Sequence, residues 1–299
     1  MNQYLPEGHS FRPAAYTPEE LQKALQEQTV LQAAALLCDE RHDLHVDLGS
    51  CRGIIPRSEA AVGISGGDVR DIAILSRVGK PVSFLVREHL PDGRWLLSRR
   101  AAQERALDRL LGEAQCGDIL PAVVTGCTEF GAFCDIGCGV PALLGLQNIC
   151  ISRIRHAGDL LRPGQQILTA IQKQDRVRRR ISLTMKELLG TWEENVSGFR
   201  QGQTVTGIVR SIRDYGAFIE LTPNLSGLAE IREPLQEGDA VSVYIKSILP
   251  DKLKIKLAVI DRLEEDVLPE QPLRYFVTEG HLNTWLYGSS RFAKSMTIF

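Results

Sequence analysis

The chain has 299 residues, 43% of them apolar and 24% charged. At about 150 residues per domain this length predicts two or three folded units, and the composition excludes a disordered, collagen-like or disulfide-scaffold chain. With 35 Lys plus Arg against 37 Asp plus Glu the formal charge is −2, which argues against a uniformly positive coat for gripping polyanions.

From the amino terminus, Met1 to Gly8 has no basic stretch leading into an apolar core, and no apolar run approaches the roughly 18 residues that cross a bilayer. A cytoplasmic protein with no membrane partner is expected. The seven cysteines (Cys38, Cys51, Cys116, Cys127, Cys134, Cys138 and Cys150) are odd in number and expected to stay reduced. Thr17-Pro18-Glu19-Glu20 supplies an N-cap, a proline at the first helical position and acids in the first turn. It predicts a helix that ends near Gln28, with Leu21 and Leu25 on one face.

Beyond residue 27 the chain repeats itself. Residues 116–143 align without a gap to 201–228, at an offset of 85: Gly117 matches Gly202, Val124 Val209, Phe130 Tyr215, Phe133 Phe218 and Leu143 Leu228. The offset then falls to 74, pairing Gly164 with Gly238 and Arg180-Ile181-Ser182-Leu183 with Lys254-Ile255-Lys256-Leu257, so the later copy lacks an 11-residue loop. A fainter copy precedes both. His45-Val46-Asp47-Leu48-Gly49 and Gly53-Ile54-Ile55-Pro56 resemble Asp135-Ile136-Gly137 and Ala142-Leu143-Leu144, and Gly79 lies 85 residues before Gly164.

Period-two alternation between turn residues predicts strands at 119–125, 131–136, 140–144, 166–172 and 179–184, then at 203–211, 216–221, 226–229, 240–248 and 253–258. Five short strands in about 70 residues suit a small closed barrel of the oligonucleotide-binding (OB) kind. The expected fold is all-β, with tandem five-stranded OB barrels and short connecting helices. Residues 1–27 form an N-terminal segment, 28–112 a divergent first barrel with a connecting helix at 99–112, 113–190 a second barrel, 196–262 a third, and 263–299 a tail. Between the clear barrels, Trp192 and Phe199 are candidates to pack them together. After Leu268 to Pro272 the tail holds Tyr275, Phe276, Trp285, Tyr287, Phe292 and Phe299, too many rings to hang in water; it is expected to dock on a barrel or on a partner.

Gly-Asp or Gly-Gln, a valine-rich strand, Phe-Gly-Ala-Phe, a Gly-Leu turn, a second glycine-led strand and Arg180-Ile181-Ser182-Leu183-Thr184-Met185-Lys186-Glu187 together resemble the S1 RNA-binding domain. The resemblance is strong over about 115–262, weaker over 28–100 and absent at the ends; the chain is similar to the shorter ribosomal protein S1 homologues of Gram-positive bacteria. It implies barrels that bind single-stranded RNA, mRNA included, with the small ribosomal subunit as a possible partner and translation as the setting. No cofactor and no catalysis are expected.

By that resemblance Phe130 and Phe133 match the aromatic positions of the RNA face, Asp175 a strand-end acid, and Arg179 or Arg180 the basic residue; Tyr215, Phe218 and Lys254 match in the later copy. The family's histidine after Gly-Leu is missing, replaced by Gly145 and by Glu230, which would repel phosphate. The first copy has Leu44 and Val46 where aromatics are expected, so it is expected to dock and not to contact RNA.

Physically, two rings around a Gly-Ala pair offer flat surfaces to bases, with the small residues letting a base lie close; the alternative is that Phe133 and Phe218 plug the cores. Arg176, Arg178, Arg179 and Arg180 suit phosphate, the alternative being a solvated hairpin tip. The cysteines of the middle barrel lack the spacing of a zinc ribbon, so no metal is expected, and His156 near Cys150 reads as a loop residue. No nucleotide-binding glycine motif, nucleophile elbow or zinc-protease motif occurs. A non-catalytic RNA binder leads. Its rivals are a protein-interaction adaptor with degenerate barrels and an accessory subunit in RNA decay. By segment, 115–190 holds nine basic and six acidic residues, against nine and eight in 199–262, so near-neutrality conceals a basic middle barrel.

Overall fold

In the computed structural model the described residues are 4–9, 11, 15–67, 69–231, 234–264, 273–288 and 295–299. Leu268 to Pro272 and Phe292 of the tail lie outside them. No helix among them is long and apolar enough to cross a membrane.

The first barrel comprises β1 (Leu31–Cys38), β2 (Leu44–Asp47), β3 (Arg52–Ile55), β4 (Pro81–His89) and β5 (Trp95–Ser98), with α1 (Pro18–Glu27) before it and α2 (Ile72–Leu75) between β3 and β4. After α3 (Arg99–Glu113) comes the second, of β6 (Ile119–Thr128), β7 (Gly131–Asp135), β8 (Pro141–Gly145), β9 (Gln166–Asp175) and β10 (Arg180–Thr184). α4 (Trp192–Val196) leads to the third, of β11 (Thr204–Arg213), β12 (Gly216–Thr222), β13 (Leu225–Glu230), β14 (Ala240–Leu249) and β15 (Lys254–Arg262), and a hairpin of β16 (Thr284–Tyr287) and β17 (Ser295–Ile298) follows. All three barrels are closed in one order, with the third and fifth strands side by side and parallel. The tandem OB-type barrels expected from the sequence are present, and α1 carries the capping box of Thr17 and Glu20.

Alternation puts one set of side chains inside. Ala132, Cys134, Ala142 and Leu144 fill the second barrel, as Ala217, Ile219 and Ala229 fill the third. The alanine of the Phe-Gly-Ala-Phe motif is therefore core, and the glycine has a reason other than room for a base. Gly131 has φ +148°, and a Cβ there would lie 2.3 Å from the Leu144 carbonyl oxygen; Gly216 repeats this at 2.5 Å from Ala229.

Each barrel's turn between its second and third strands receives an earlier stretch of chain. In the first, Tyr16 N–H donates to Leu48 O at 2.8 Å. In the second, Cys138 N–H donates to Leu5 O at 2.9 Å, and Gln103 Nε2 of α3 to Gly139 O at 2.6 Å. Glu7 is buried there, bound by Arg99 through Nε (2.7 Å) and Nη2 (2.8 Å) and by Ser83 N–H (2.9 Å), while its own N–H donates to Asp135 Oδ2 at 2.7 Å. Burial first, and then the Glu7 carboxylate, push Asp135 up to about 7, against its backbone donors and Arg99.

In the third barrel the turn meets the loop 149–161 of the second, part of the stretch by which the second copy is longer. Ile151 N–H donates to Asn224 Oδ1 at 3.0 Å, Ser152 N–H to Pro223 O at 3.0 Å, and Asn224 Nδ2 reaches back to Lys186 O (2.7 Å) and Gly190 O (2.8 Å). Asn195 adds a second amide bridge, donating to Leu189 O and accepting from Thr222 Oγ1. Trp192 is buried in the core of the third barrel and Phe199 packs against that core, as does Ile151 from the loop of the second; asparagine side chains add hydrogen bonds between the barrels because carbonyls at the facing turns need donors.

The tail docks within the chain. Tyr275 packs on the second barrel, its hydroxyl accepting from Leu168 N–H at 3.1 Å; Leu282 N–H donates to Gly117 O at 2.9 Å; Trp285 and Tyr287 are buried with Trp192 in the third.

Two outcomes test this account. Gly131→Ala should cost about 1–3 kcal/mol in chemical denaturation, from backbone strain and a forced strand shift, whereas Gly126→Ala, which meets open space, should stay within about 0.5 kcal/mol. A carboxyl whose folded pKa lies above its unfolded value contributes stability that is complete below about pH 4 and lost as the pH rises through about 7. Thermal melts should therefore show Tm falling between about pH 4 and 7, with the slope flattened in Asp135→Asn.

Candidate nucleic-acid interface

Phe130 lies on the tight turn between β6 and β7, 57% exposed, and Phe133 points out of β7, 40% exposed. Their rings meet edge to face with centroids 5.8 Å apart and planes at 85°. Tyr215, 66% exposed, and the half-buried Phe218 repeat the pair at 6.2 Å and 87°. Phe133 and Phe218 do not plug the cores: each falls on the outward phase of its strand, between inward residues.

Strand register extends each pair into a row. Phe133 lies opposite Leu143, Leu143 beside Ser182, and Ser182 opposite Lys173, so these four cross β7, β8, β10 and β9 on the outer surface. Adjacent strands are about 4.8 Å apart, which puts Ser182 about 10 Å from Phe133. Arg180 shares the outward phase of Ser182, two residues along. In the third barrel the row is Phe218, Leu228, Lys256 and Ser247, with Lys254 at the Arg180 position. Leu143, Leu228 and Lys173 escape sequence reasoning because cross-strand neighbours emerge only once the register is known.

The remaining expected residues lie apart from the rings. Asp175 ends β9, where its Oδ1 accepts from Arg178 N–H at 2.8 Å and so shapes the hairpin. Arg178 and Arg179 are on the hairpin tip, about four residues beyond the Ser182 row, or about 13 Å. Arg179 has φ +52° and pairs with Asp108 of α3 at 2.7 Å. Arg210, basic in the sequence, holds the buried Glu220 through Nη2 (2.8 Å) and Nε (3.0 Å) and lies 3.9 Å from Asp159, so its guanidinium is engaged between the barrels. Glu230 lies 3.9 Å from Lys246.

In the first barrel Leu44 and Val46 are core. The Phe133 position belongs to His45, which faces Ile54 as Phe133 faces Leu143. His45 Nε2 bonds Asp39 at 3.0 Å and His42 is 3.5 Å from Asp71. Carboxylates thus occupy the surface where the other barrels show aromatic rings.

Among the described residues no group of three or more His, Cys, Asp or Glu side chains is placed to hold a metal. Burial pushes the Cys134 and Cys138 thiols up to about 12 and Cys150 upward as well, so they stay protonated. His156 caps the turn at 157–159, accepting from Gly158 N–H at 2.9 Å.

Residues 113–186 match the model of the S1 RNA binding domain. The chain is 31% identical over 247 residues to small ribosomal subunit protein bS1 of Staphylococcus aureus (strain COL), covering 77% of this chain and 61% of that protein. The same protein of Leuconostoc lactis is 31% identical over 237 residues, covering 73% and 53%. The chain thus spans about three-fifths or less of the length of these relatives. A crystal structure of a multidomain protein with nucleic acid binding domains from Streptococcus pneumoniae TIGR4 is 15% identical and covers 79% of this chain and 75% of that one, at a TM-score of 0.27.

Proposed function

We propose that this chain, a member of the S1 RNA-binding-domain family, is a non-catalytic protein that binds single-stranded RNA, with residues 113–190 as its main RNA-binding unit and 196–262 as the second. The observation that carries this is the exposed edge-to-face pair of Phe130 and Phe133 beside the strand opened by Arg180, inside the barrel that matches the S1 model. Each ring offers a base a stacking surface worth about 1–3 kcal/mol and indifferent to base identity, while arginines bind the backbone through paired N–H donors. Arg180, Lys173 and the tip residues Arg178 and Arg179 supply that charge, with Asp175 holding the tip; Tyr215, Phe218 and Lys254 serve the third barrel. The names of the relatives extend the reading to association with the small ribosomal subunit, which makes mRNA in the cytoplasm the ligand and setting of this proposal.

Phe130→Ala with Phe133→Ala should weaken binding to an unstructured uridine-rich oligonucleotide by about 2–4 kcal/mol with little change in Tm, because both rings are exposed. Unchanged affinity would falsify the site. In fluorescence titrations log K should fall linearly with log salt, by about 0.7 per phosphate contacted, and Arg180→Ala should lower that slope by about one such step. A salt-independent interaction would point to a protein ligand.

A further inference from the structure

The surface of the third barrel that receives the second has a counterpart on the first that is exposed among the described residues. In the third barrel the bulge residue of β11, Arg210, faces Asp159, and Glu237 pairs with Arg155, both partners coming from the loop 149–161. The register of β1 shifts in the same way between Ala35 and Leu37, which makes Leu36 its bulge residue. Gly79 N–H donates to Ala35 O at 2.8 Å just as Gly238 donates to Val209 O at 2.7 Å, so Val78 stands where Glu237 does. Two charged positions of an interface have become aliphatic. Leu37 adjoins them, and on α2 Ile72 and Leu75 lie one turn apart, with Leu75 O accepting from Val78 N–H at 3.3 Å. These five side chains are 40–66% exposed.

We propose that this patch on the first barrel is a docking site for a protein partner that presents an aliphatic helix flanked by carboxylates. Equivalence to the interface between the second and third barrels marks the surface as one this fold uses for protein contact. Its size selects the occupant. Five side chains so exposed offer roughly 400 Å², about half of what each partner gives to a stable globular interface, and suited to one amphipathic helix anchored at i, i+3, i+4 and i+7. Charge sets the flanks. Arg70 and Lys80 border the patch and are exposed, whereas the nearby acids are engaged: Asp71 by Arg57 at 2.7 Å, Asp39 by His45 at 3.0 Å and Asp43 by the Arg57 N–H at 2.7 Å.

The test uses the full chain and a fluorescein-labelled synthetic helical peptide with leucines at i, i+3, i+4 and i+7 and flanking glutamates, read by polarisation. Ile72→Glu with Leu75→Glu should weaken binding about tenfold or more, as should exchanging the peptide's glutamates for lysines, with RNA affinity unchanged. Leu36→Glu, on β1, is a second variant should the first fold poorly. Absence of peptide binding to the unaltered chain, or equal binding by the variants, overturns the proposal. So does a loss of RNA affinity in the variants, which would make the patch an RNA surface. Concentration-dependent sedimentation abolished by the same substitutions would overturn it in favour of a second copy of the chain.

Discussion

Closure of each barrel rests on a short parallel pairing between its third and fifth strands: Gly53 with Trp95, Leu143 with Ser182, Leu228 with Lys256. Antiparallel hairpins form from neighbouring stretches of chain, but this contact joins strands separated by a long loop and must recover the loop's closure entropy. It succeeds because the parallel strands place Leu144 and Leu183, or Ala229 and Leu257, in one core. The same register that buries these residues turns their neighbours outward, so Phe133 cannot join the row of Ser182 unless Cys134 and Leu183 are inside. The candidate surface is a by-product of packing the interior.

Assembly of the barrels follows a second rule, capture of an earlier segment by a turn. The segment differs each time: Tyr16, Leu5 with Glu7, and Ile151 with Ser152. What recurs is a turn whose backbone groups find partners outside their own barrel, with an acid near the end of the second strand in each, Asp47, Asp135 and Glu220, the last two buried. Buried polar groups of this kind need complete satisfaction, and Asn224, which is fully buried, meets it by accepting from Ile151 and donating to two carbonyls of the chain that leads from the second barrel to the third.

Most of the strand pattern was legible because alternation, turn residues and an internal repeat agree. Strands expected at 131–136 and 166–172 stand as Gly131–Asp135 and Gln166–Asp175. What stayed hidden involves pairing across sequence distance. Leu44 and Val46 are not the aromatic positions of the first barrel, because one residue in a strand exchanges core for surface and the register makes His45 the counterpart of Phe133. At the junction of the clear barrels, asparagine amides supply hydrogen bonds whose role no pattern of apolar residues announces. Arg210 reads as one more basic residue until Glu220 appears beneath it.

The tail gives the molecule a chronology. Tyr275 completes the cover of the second barrel and Trp285 and Tyr287 the core of the third, although both barrels end in sequence before residue 263. During synthesis each barrel emerges with part of its apolar surface waiting for a segment not yet made. The two barrels therefore reach their final packing together, after translation of the tail, and a polypeptide interrupted near residue 263 would carry two closed but uncovered barrels, recognisable to the quality-control machinery by the apolar surface the tail leaves bare.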